Sequence, residues 1–180
     1  MSIDDASLDE ERRLEALRMY GVLDTPPEHA LDDLTKLAAT ICEAPIAVIT
    51  LVDEHRQWFK SKIGLGAAET PREVSFCAHA LGQTELLIVP DATRDERFAR
   101  NPLVTGEPGI RFYAGAPLVT PDGEVLGALC VIDQVPRTLT PGQQQALRVL
   151  SGQVMTQFEL RRRSRELQAS ERQMRAIVDM

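Results

Sequence analysis

Cysteine and histidine side chains are the first candidates for chemistry in this sequence, because thiolates act as nucleophiles and imidazole binds metals and protons. The chain has three of each. Cys77 and His79 lie two residues apart in a short apolar segment, so on a helix they point to different faces and do not hold one ligand together. Cys42 and Cys130 are far away in sequence. An odd number of dispersed cysteines predicts neither a disulfide framework nor a metal site, and we interpret all three as reduced thiols.

The histidines do not predict a metal site. His79 has the chemistry to ligate haem iron, although a single histidine in an apolar helix more often donates to a backbone carbonyl. His29 and His55 have polar or charged neighbours, so we expect both on the surface. No histidine and carboxylate group has the spacing of zinc ligands. Neither a metal nor a haem is therefore expected.

A second set of residues combines aromatic walls with a few polar groups, which is typical of a small-molecule site. Two interpretations stay open for this set. Its members either converge on a ligand pocket, or they fill the core and anchor loops. The candidate ligand-binding residues are Phe76, His79, Asp91, Phe98, Arg111 and Tyr113.

The charge distribution argues against nucleic acids as partners. Residues 1–140 carry 13 basic and 23 acidic side chains, and only the arginines at 161–163 and 165 form a basic run, which we place on a solvated helix face. No glycine-rich phosphate loop precedes a helix. No apolar stretch reaches the roughly 20 residues that a bilayer requires, so we expect no membrane span and a cytoplasmic location.

The elements that must position these residues can be read from hydrophobic periodicity. Ser7 and Glu10 form a capping-box pattern, which predicts a first helix over 7–20, and an apolar stripe predicts a second helix over 27–43. Residues 46–52 are apolar on both faces and predict a buried strand, whereas 55–63 predict a strand with one wetter face. Residues 75–81 predict a short buried helix, and 86–89 a brief strand.

The second half of the chain predicts a connection, a hairpin and a long helix. Residues 91–109 are rich in charge, proline and glycine, which predicts a long connection with at most one short helix, around 94–99. Strands at 112–120 and 124–133 flank a turn and are apolar on both faces, so helices must cover both sides of the sheet. Thr140 and Pro141 begin a helix that reaches the end of the chain.

Three apolar residues of that helix, Leu160, Leu167 and Met174, are spaced seven apart. This spacing is typical of a two-stranded coiled coil, and the other interpretation is a frayed tail. We expect a homodimer through the N- and C-terminal helices, paired in parallel so that both C-termini lie together.

Five sequence blocks, two of them in two parts, resemble the GAF domain family in the same order, and the resemblance covers roughly residues 25–160. This similarity implies an α+β fold: a GAF-like, PAS-like antiparallel sheet of five to six strands, helices on both faces and a long C-terminal signalling helix. The blocks are LEAL (14–17), GVLDTPP (21–27), SFCAHA (75–80), VPDA (89–92), DERF (95–98), IRFYAGAPL (110–118) and GALCVID (127–133).

The resemblance also implies an organisation. Residues 1–24 form an N-terminal helix that packs in the dimer bundle, residues 25–160 the GAF sensory domain, and residues 161–180 a coiled-coil linker. The segment SERQMRAIV (170–178) is similar to the opening of a truncated PAS domain. The implied parent is a bacterial histidine kinase or diguanylate cyclase, in which this region senses a small molecule or partner and is not itself an enzyme.

Two further properties of the family bear on the cysteines. Some GAF photosensors attach a bilin through a cysteine near the position of Cys77, usually beside a histidine, but here Ala78 intervenes. Other members reduce free methionine sulfoxide with exposed thiolates. A bilin is not expected, the cofactor stays unknown, and the alternatives to a ligand sensor are a ligand-free dimerisation module or such a thiol reductase.

Overall fold

A computed structural model of the protein describes the backbone of residues 3–180 and the side chains of residues 5–180. Its centre is a six-stranded antiparallel sheet with the order β3-β2-β1-β6-β5-β4. The expected α+β fold is confirmed. The polar strand β3 was not expected, because it has no hydrophobic pattern. The strands are β1 (Ile46–Val52), β2 (Arg56–Ile63), β3 (Glu69–Pro71), β4 (Leu87–Val89), β5 (Phe112–Val119) and β6 (Val125–Asp133).

Three helices cover one face of the sheet: α1 (Ile3–Tyr20), α2 (His29–Cys42) and the long C-terminal helix. Buried side chains of all three form a core with the inner face of the sheet. The expected helix start at Ser7 is wrong, because α1 already runs through that residue. Leu8 and Met19, expected on the apolar stripe of this helix, are 53% and 52% exposed.

The opposite face is covered by short, irregular elements. These are 3-10 helices at Arg72–Val74, Cys77–Ala80 and Ala92–Arg94, and the four-residue helix α3 (Pro102–Thr105). The segment expected to form a buried helix over 75–81 is thus only a 3-10 turn. The limit of one short helix, around 94–99, is wrong as well: a turn lies there, between the 3-10 helix Ala92–Arg94 and α3, which Asn101 caps and which has Pro102 in its first turn.

The C-terminal helix, α4 (Pro141–Val178), has the expected start and length. The Thr140 hydroxyl accepts from the Gln143 amide and the Gln143 side chain accepts from the Thr140 amide, which completes a capping box. Its first half packs on the sheet through side chains such as Leu147 and Phe158, both fully buried. Residues 163–178 are exposed. At 38 residues, α4 is about 57 Å long, so its second half extends beyond the core.

Strand β2 contains a buried lysine where a wetter face was expected. Ile49 pairs with Ser61 and Thr50 with Phe59, so Lys60 is the extra residue of a bulge. Its side chain is 0% exposed. The ammonium lies 2.6 Å from the Glu28 carboxylate and also donates to the Thr25 hydroxyl at 2.8 Å, so the buried charge is fully paired.

The same Glu28 carboxylate connects Lys60 to α4. Arg161 Nε lies 3.3 Å from Glu28, and Arg161 Nη1 donates to the Gly21 carbonyl at 2.8 Å. One turn further, Arg165 donates to the Tyr20 carbonyl at 3.2 Å. The end of α1, the connection to α2 and the sheet are therefore all tied to α4 at the point where it leaves the core.

We predict that Glu28→Gln lowers the free energy of unfolding by about 2 kcal/mol, because the buried Lys60 ammonium loses its countercharge while Glu28 itself is partly exposed. Urea denaturation measures this. Glu11→Gln, on the exposed face of α1, is the matched control, with a change expected within about 0.5 kcal/mol. Equal values for the two variants would contradict the predicted role of the pair.

Candidate functional site

A cavity of about 40 Å³ lies between the sheet and its irregular cover. This volume holds about three water molecules. Its walls are mainly apolar, with a few hydroxyl, amide and thiol groups. The lining residues are Ile46, Val48, Thr50, Gln57, Phe59, Leu65, Thr70, Phe76, Cys77, Leu103, Pro108, Ile110, Tyr113, Cys130 and Ile132.

A buried polar cluster forms one side of this cavity. Cys77 Sγ lies 2.8 Å from Tyr113 Oη and 3.2 Å from Cys130 Sγ, and Tyr113 Oη lies 3.1 Å from Cys130 Sγ. The Thr50 hydroxyl donates to Cys77 Sγ at 3.3 Å. The four groups satisfy one another away from solvent, as buried polar groups must.

Strand pairing brings the cluster together. Cys130 pairs with Val48 on β1 and with Gly115 on β5, which places it between the strands that carry Thr50 and Tyr113. A Cβ atom at Gly115 would lie 2.4 Å from Tyr113 Oη, so the glycine provides the space for the tyrosine hydroxyl. Cys77 approaches from the 3-10 helix on the other side.

The surroundings of the cluster shift the pKa values of its two thiols in opposite directions. Burial raises the pKa of Cys77, but hydrogen bonds from Cys130, Thr50 and Tyr113 outweigh it and leave this pKa below its usual value. Burial, together with the neighbouring Cys77, raises the pKa of Cys130 well above its usual value. The pKa of Tyr113 is also raised by burial and by the adjacent thiols. Cys77 is therefore the thiol that is more readily ionised.

Three of the residues expected at a ligand site do converge. Phe76 stacks on Phe98 with ring centroids 4.1 Å apart, and its centroid lies 5.2 Å from that of Tyr113. Phe76 and Tyr113 line the cavity, and Phe98 packs behind them, fully buried.

The structure does not bring the other three to the cavity. His79 is exposed instead of lying in a buried helix, and its ring packs edge-on against Phe98, 4.8 Å away. Asp91 accepts from the Thr93 amide at 3.0 Å and caps a 3-10 helix. Arg111 donates to the Val104 carbonyl at 2.9 Å. Asp91 stabilises its own turn and Arg111 holds α3, whose Leu103 lines the cavity, and no ligand role is supported for either.

The sequence identified Tyr113 and Cys77 as candidates, but not the other polar residues that line the cavity. Thr50 could have been identified from the sequence, because it is the one hydroxyl-bearing residue in an otherwise apolar strand. The Gln57 side chain donates to the Thr70 hydroxyl at 3.3 Å and accepts from the Ser75 hydroxyl. These bonds hold the side chains of Gln57 and Thr70 in place at the cavity wall. Nothing in the sequence indicated that Cys130 lines a cavity, because it lies within a continuous apolar run.

Residues 26–158 match the family model of the GAF domain. The chain belongs to the GAF family. It is 46% identical over 129 residues to the cyclic di-GMP phosphodiesterase PA2567 of Pseudomonas aeruginosa. That alignment covers 72% of this chain and 22% of the relative, so the chain spans about a fifth of the length of that protein.

Several solved structures share the fold. The GAF domain of an Acinetobacter phosphoenolpyruvate-protein phosphotransferase has a TM-score of 0.62 at 20% identity, covering 88% of this chain and 95% of that one. Free methionine-R-sulfoxide reductase of Neisseria meningitidis has 0.59 at 19% identity, covering 91% and 96%. A far-red cyanobacteriochrome has 0.59 at 16% identity, covering 73% and 85%. At these identities the similarity concerns the fold alone.

No helix within residues 3–180 has the length and apolar composition needed to cross a bilayer. In the side chains that the structure describes, no group of three or more histidines, cysteines and carboxylates is arranged to hold a metal ion.

We predict that none of the three thiols reacts with a bulky aromatic disulfide reagent in the folded chain, because all are free and at most 2% exposed. In denaturant all three should react, and the folded rate should be at least about 100-fold lower. Absorbance of the released thiolate measures both rates. Rapid labelling of one thiol in the folded chain would instead favour a reductase with an accessible nucleophile.

Proposed function

We propose that this chain is the sensory and dimerising module of a bacterial signalling protein and acts in the cytoplasm. One observation carries the proposal: one face of the sheet holds a cavity with a buried polar cluster, and the other face holds a helix that leaves the core. Family membership and the signalling relative support it. Three free cysteines fit a reducing compartment.

The cavity is the proposed ligand site in a closed state. Ligand pockets usually have about 300 to 1,000 Å³, so 40 Å³ requires the cover to open before a metabolite can enter. Leu65 and Leu103 are half-buried at this cover and lie in short, irregular segments that can move apart. The lining favours a small, largely apolar ligand with one group that hydrogen-bonds to Thr50 or Tyr113.

A physical connection leads from the cavity to α4. Gln57 and Phe59 of β2 line the cavity, and the bulge residue Lys60 pairs on the opposite face with Glu28. Glu28 also pairs with Arg161 of α4. A ligand that displaces β2 by a fraction of an ångström would thus change the position of the helix where it leaves the core.

A second copy of this chain is the proposed partner of the exposed helix. Leu160, Leu167 and Met174 are 53%, 63% and 64% exposed at heptad spacing, in the half of α4 that leaves the core. Leu8 and Met19 add exposed apolar surface on α1. Parallel pairing would place both C-termini together, as a dimeric output domain requires.

The chain itself is proposed to carry no catalytic activity, and the output belongs to the parent protein. A histidine kinase or diguanylate cyclase is the output implied by the sequence resemblance. A cyclic di-GMP phosphodiesterase is the second candidate, favoured by the 46% identical Pseudomonas aeruginosa relative. Replacing the output domain does not change the proposed role of the GAF domain, since fold and output are separable.

We predict that freshly purified chain carries a non-covalent small molecule, visible by native mass spectrometry and lost on unfolding. Thr50→Val, which removes one polar group of the cavity at constant volume, should reduce occupancy about tenfold through a lost hydrogen bond. Thr40→Val, on the exposed side of α2, is the control. A chain that is always empty, and that no cell extract stabilises against heat, would favour the ligand-free dimerisation module.

We predict that the chain is a dimer and that Leu160→Glu with Leu167→Glu raises its dissociation constant at least about 100-fold, because two apolar contacts per protomer are replaced by like charges. Light scattering over a concentration series measures the change. Leu37→Glu, an exposed apolar residue of α2, should leave the dimer unchanged. If the unsubstituted chain is a monomer, the proposed pairing is ruled out.

A further inference from the structure

We propose that Cys77 and Cys130 are a redox-active pair, which hydrogen peroxide entering the cavity converts into an intramolecular disulfide. This modification site is independent of the ligand proposal, because it requires only the two thiols and the cavity beside them. Both thiols are buried, and both line that cavity.

The geometry favours a bond between these two sulfurs over any other pair. Their Sγ atoms are 3.2 Å apart, and a disulfide bond of about 2.05 Å requires a movement of about 1.2 Å. Cys130 is held in β6 between two paired strands. Cys77 lies in a four-residue 3-10 helix and can make the movement. Cys42 is buried in α2, in the core on the opposite face of the sheet.

The surroundings assign different roles to the thiols. Cys77 accepts a hydrogen bond from the Thr50 hydroxyl, and the Tyr113 hydroxyl lies 2.8 Å away, so its thiolate is stabilised. The neighbouring Cys130 has a raised pKa and stays protonated. Cys77 is accordingly the attacking thiol and Cys130 the resolving thiol.

The cavity admits the oxidant but excludes larger reagents. Hydrogen peroxide is only slightly larger than water, and a volume of about 40 Å³ accommodates a few water-sized molecules. Bulky thiol reagents do not fit. Selective oxidation by a small peroxide therefore agrees with thiols that are otherwise unreactive.

The reaction proceeds in two balanced steps. The Cys77 thiol gives up its proton, its sulfur attacks one peroxide oxygen, the O–O bond breaks, and the departing hydroxide takes a proton to leave as water. Cys130 sulfur then attacks Cys77 sulfur, the S–O bond breaks, and the second hydroxide leaves as water with the Cys130 proton. Two thiols and one peroxide thus give one disulfide and two waters, the thiols losing two electrons to the peroxide.

The expected consequence is a change on the cavity side of the sheet. The disulfide would tie the 3-10 helix Cys77–Ala80 to the central strand β6 and remove both thiol partners of Tyr113. A dithiol reverses the bond by exchange. The oxidised and reduced chains should therefore differ in cavity shape and in melting temperature.

The test treats the 180-residue chain with hydrogen peroxide, blocks the remaining thiols and digests it with trypsin without reduction. Trypsin places the three cysteines in three separate peptides, residues 37–56, 73–94 and 112–137. The expected product is a cross-link between peptides 73–94 and 112–137, with the cysteine of peptide 37–56 carrying the blocking group. Dithiothreitol should remove the cross-link completely.

Matched variants complete the test. Cys77→Ser and Cys130→Ser should each lose the cross-link, and Cys42→Ser should keep it. A cross-link that contains Cys42, cross-links only between chains, or conversion of Cys77 to sulfinic or sulfonic acid without any disulfide would overturn the proposal. The result with the unsubstituted chain decides the proposal by itself, so the test does not depend on the folding of any variant.

Discussion

The central strands of this protein are buried on both faces, and the rest of the structure follows from that constraint. Every residue of β1 is buried, and all but the last residue of β6. The two strands can pair closely only because Gly127 has no side chain; a Cβ there would lie 1.9 Å from the Thr50 carbonyl. A sheet that exposes apolar side chains on both faces must be covered twice, and the chain builds two different covers.

The two covers differ in how well they can pack. Helices α1, α2 and α4 place regular apolar stripes on one face and enclose a continuous core. The other face is covered by 3-10 turns and connections that have no such stripe, and the cavity lies beneath them. Polar groups are tolerated there because Thr50, Cys77, Tyr113 and Cys130 satisfy one another. The less regular cover therefore lies over the proposed ligand site and over the Cys77–Cys130 pair.

Local signals made most of the fold predictable from the sequence. The apolar runs of β1, β5 and β6 and the Thr140 cap of α4 each depend on neighbouring residues only. Features that depend on distant partners were not predictable. The burial of Lys60 requires Glu28 from another element, and Cys77 meets Cys130 only through strand register and the position of a 3-10 helix. Residues 94–99 form a turn instead of the short helix placed there. The Asp95 carboxylate accepts hydrogen bonds from the amide and the side chain of Arg97, and this local pairing favours a turn.

The contrast between packing and ion pairs explains how α4 can belong to the core and still change position. Up to Phe158 the helix is held by buried apolar contacts, which tolerate little displacement because interiors are close-packed. At Arg161 and Arg165 it is held by hydrogen bonds and an ion pair to Glu28 and the end of α1. Such contacts can lengthen or exchange with water at a cost of about 1 kcal/mol each, without exposing apolar surface. In the proposed mechanism the helix tilts about its buried half, and a small difference in ligand affinity between two tilts selects one of them.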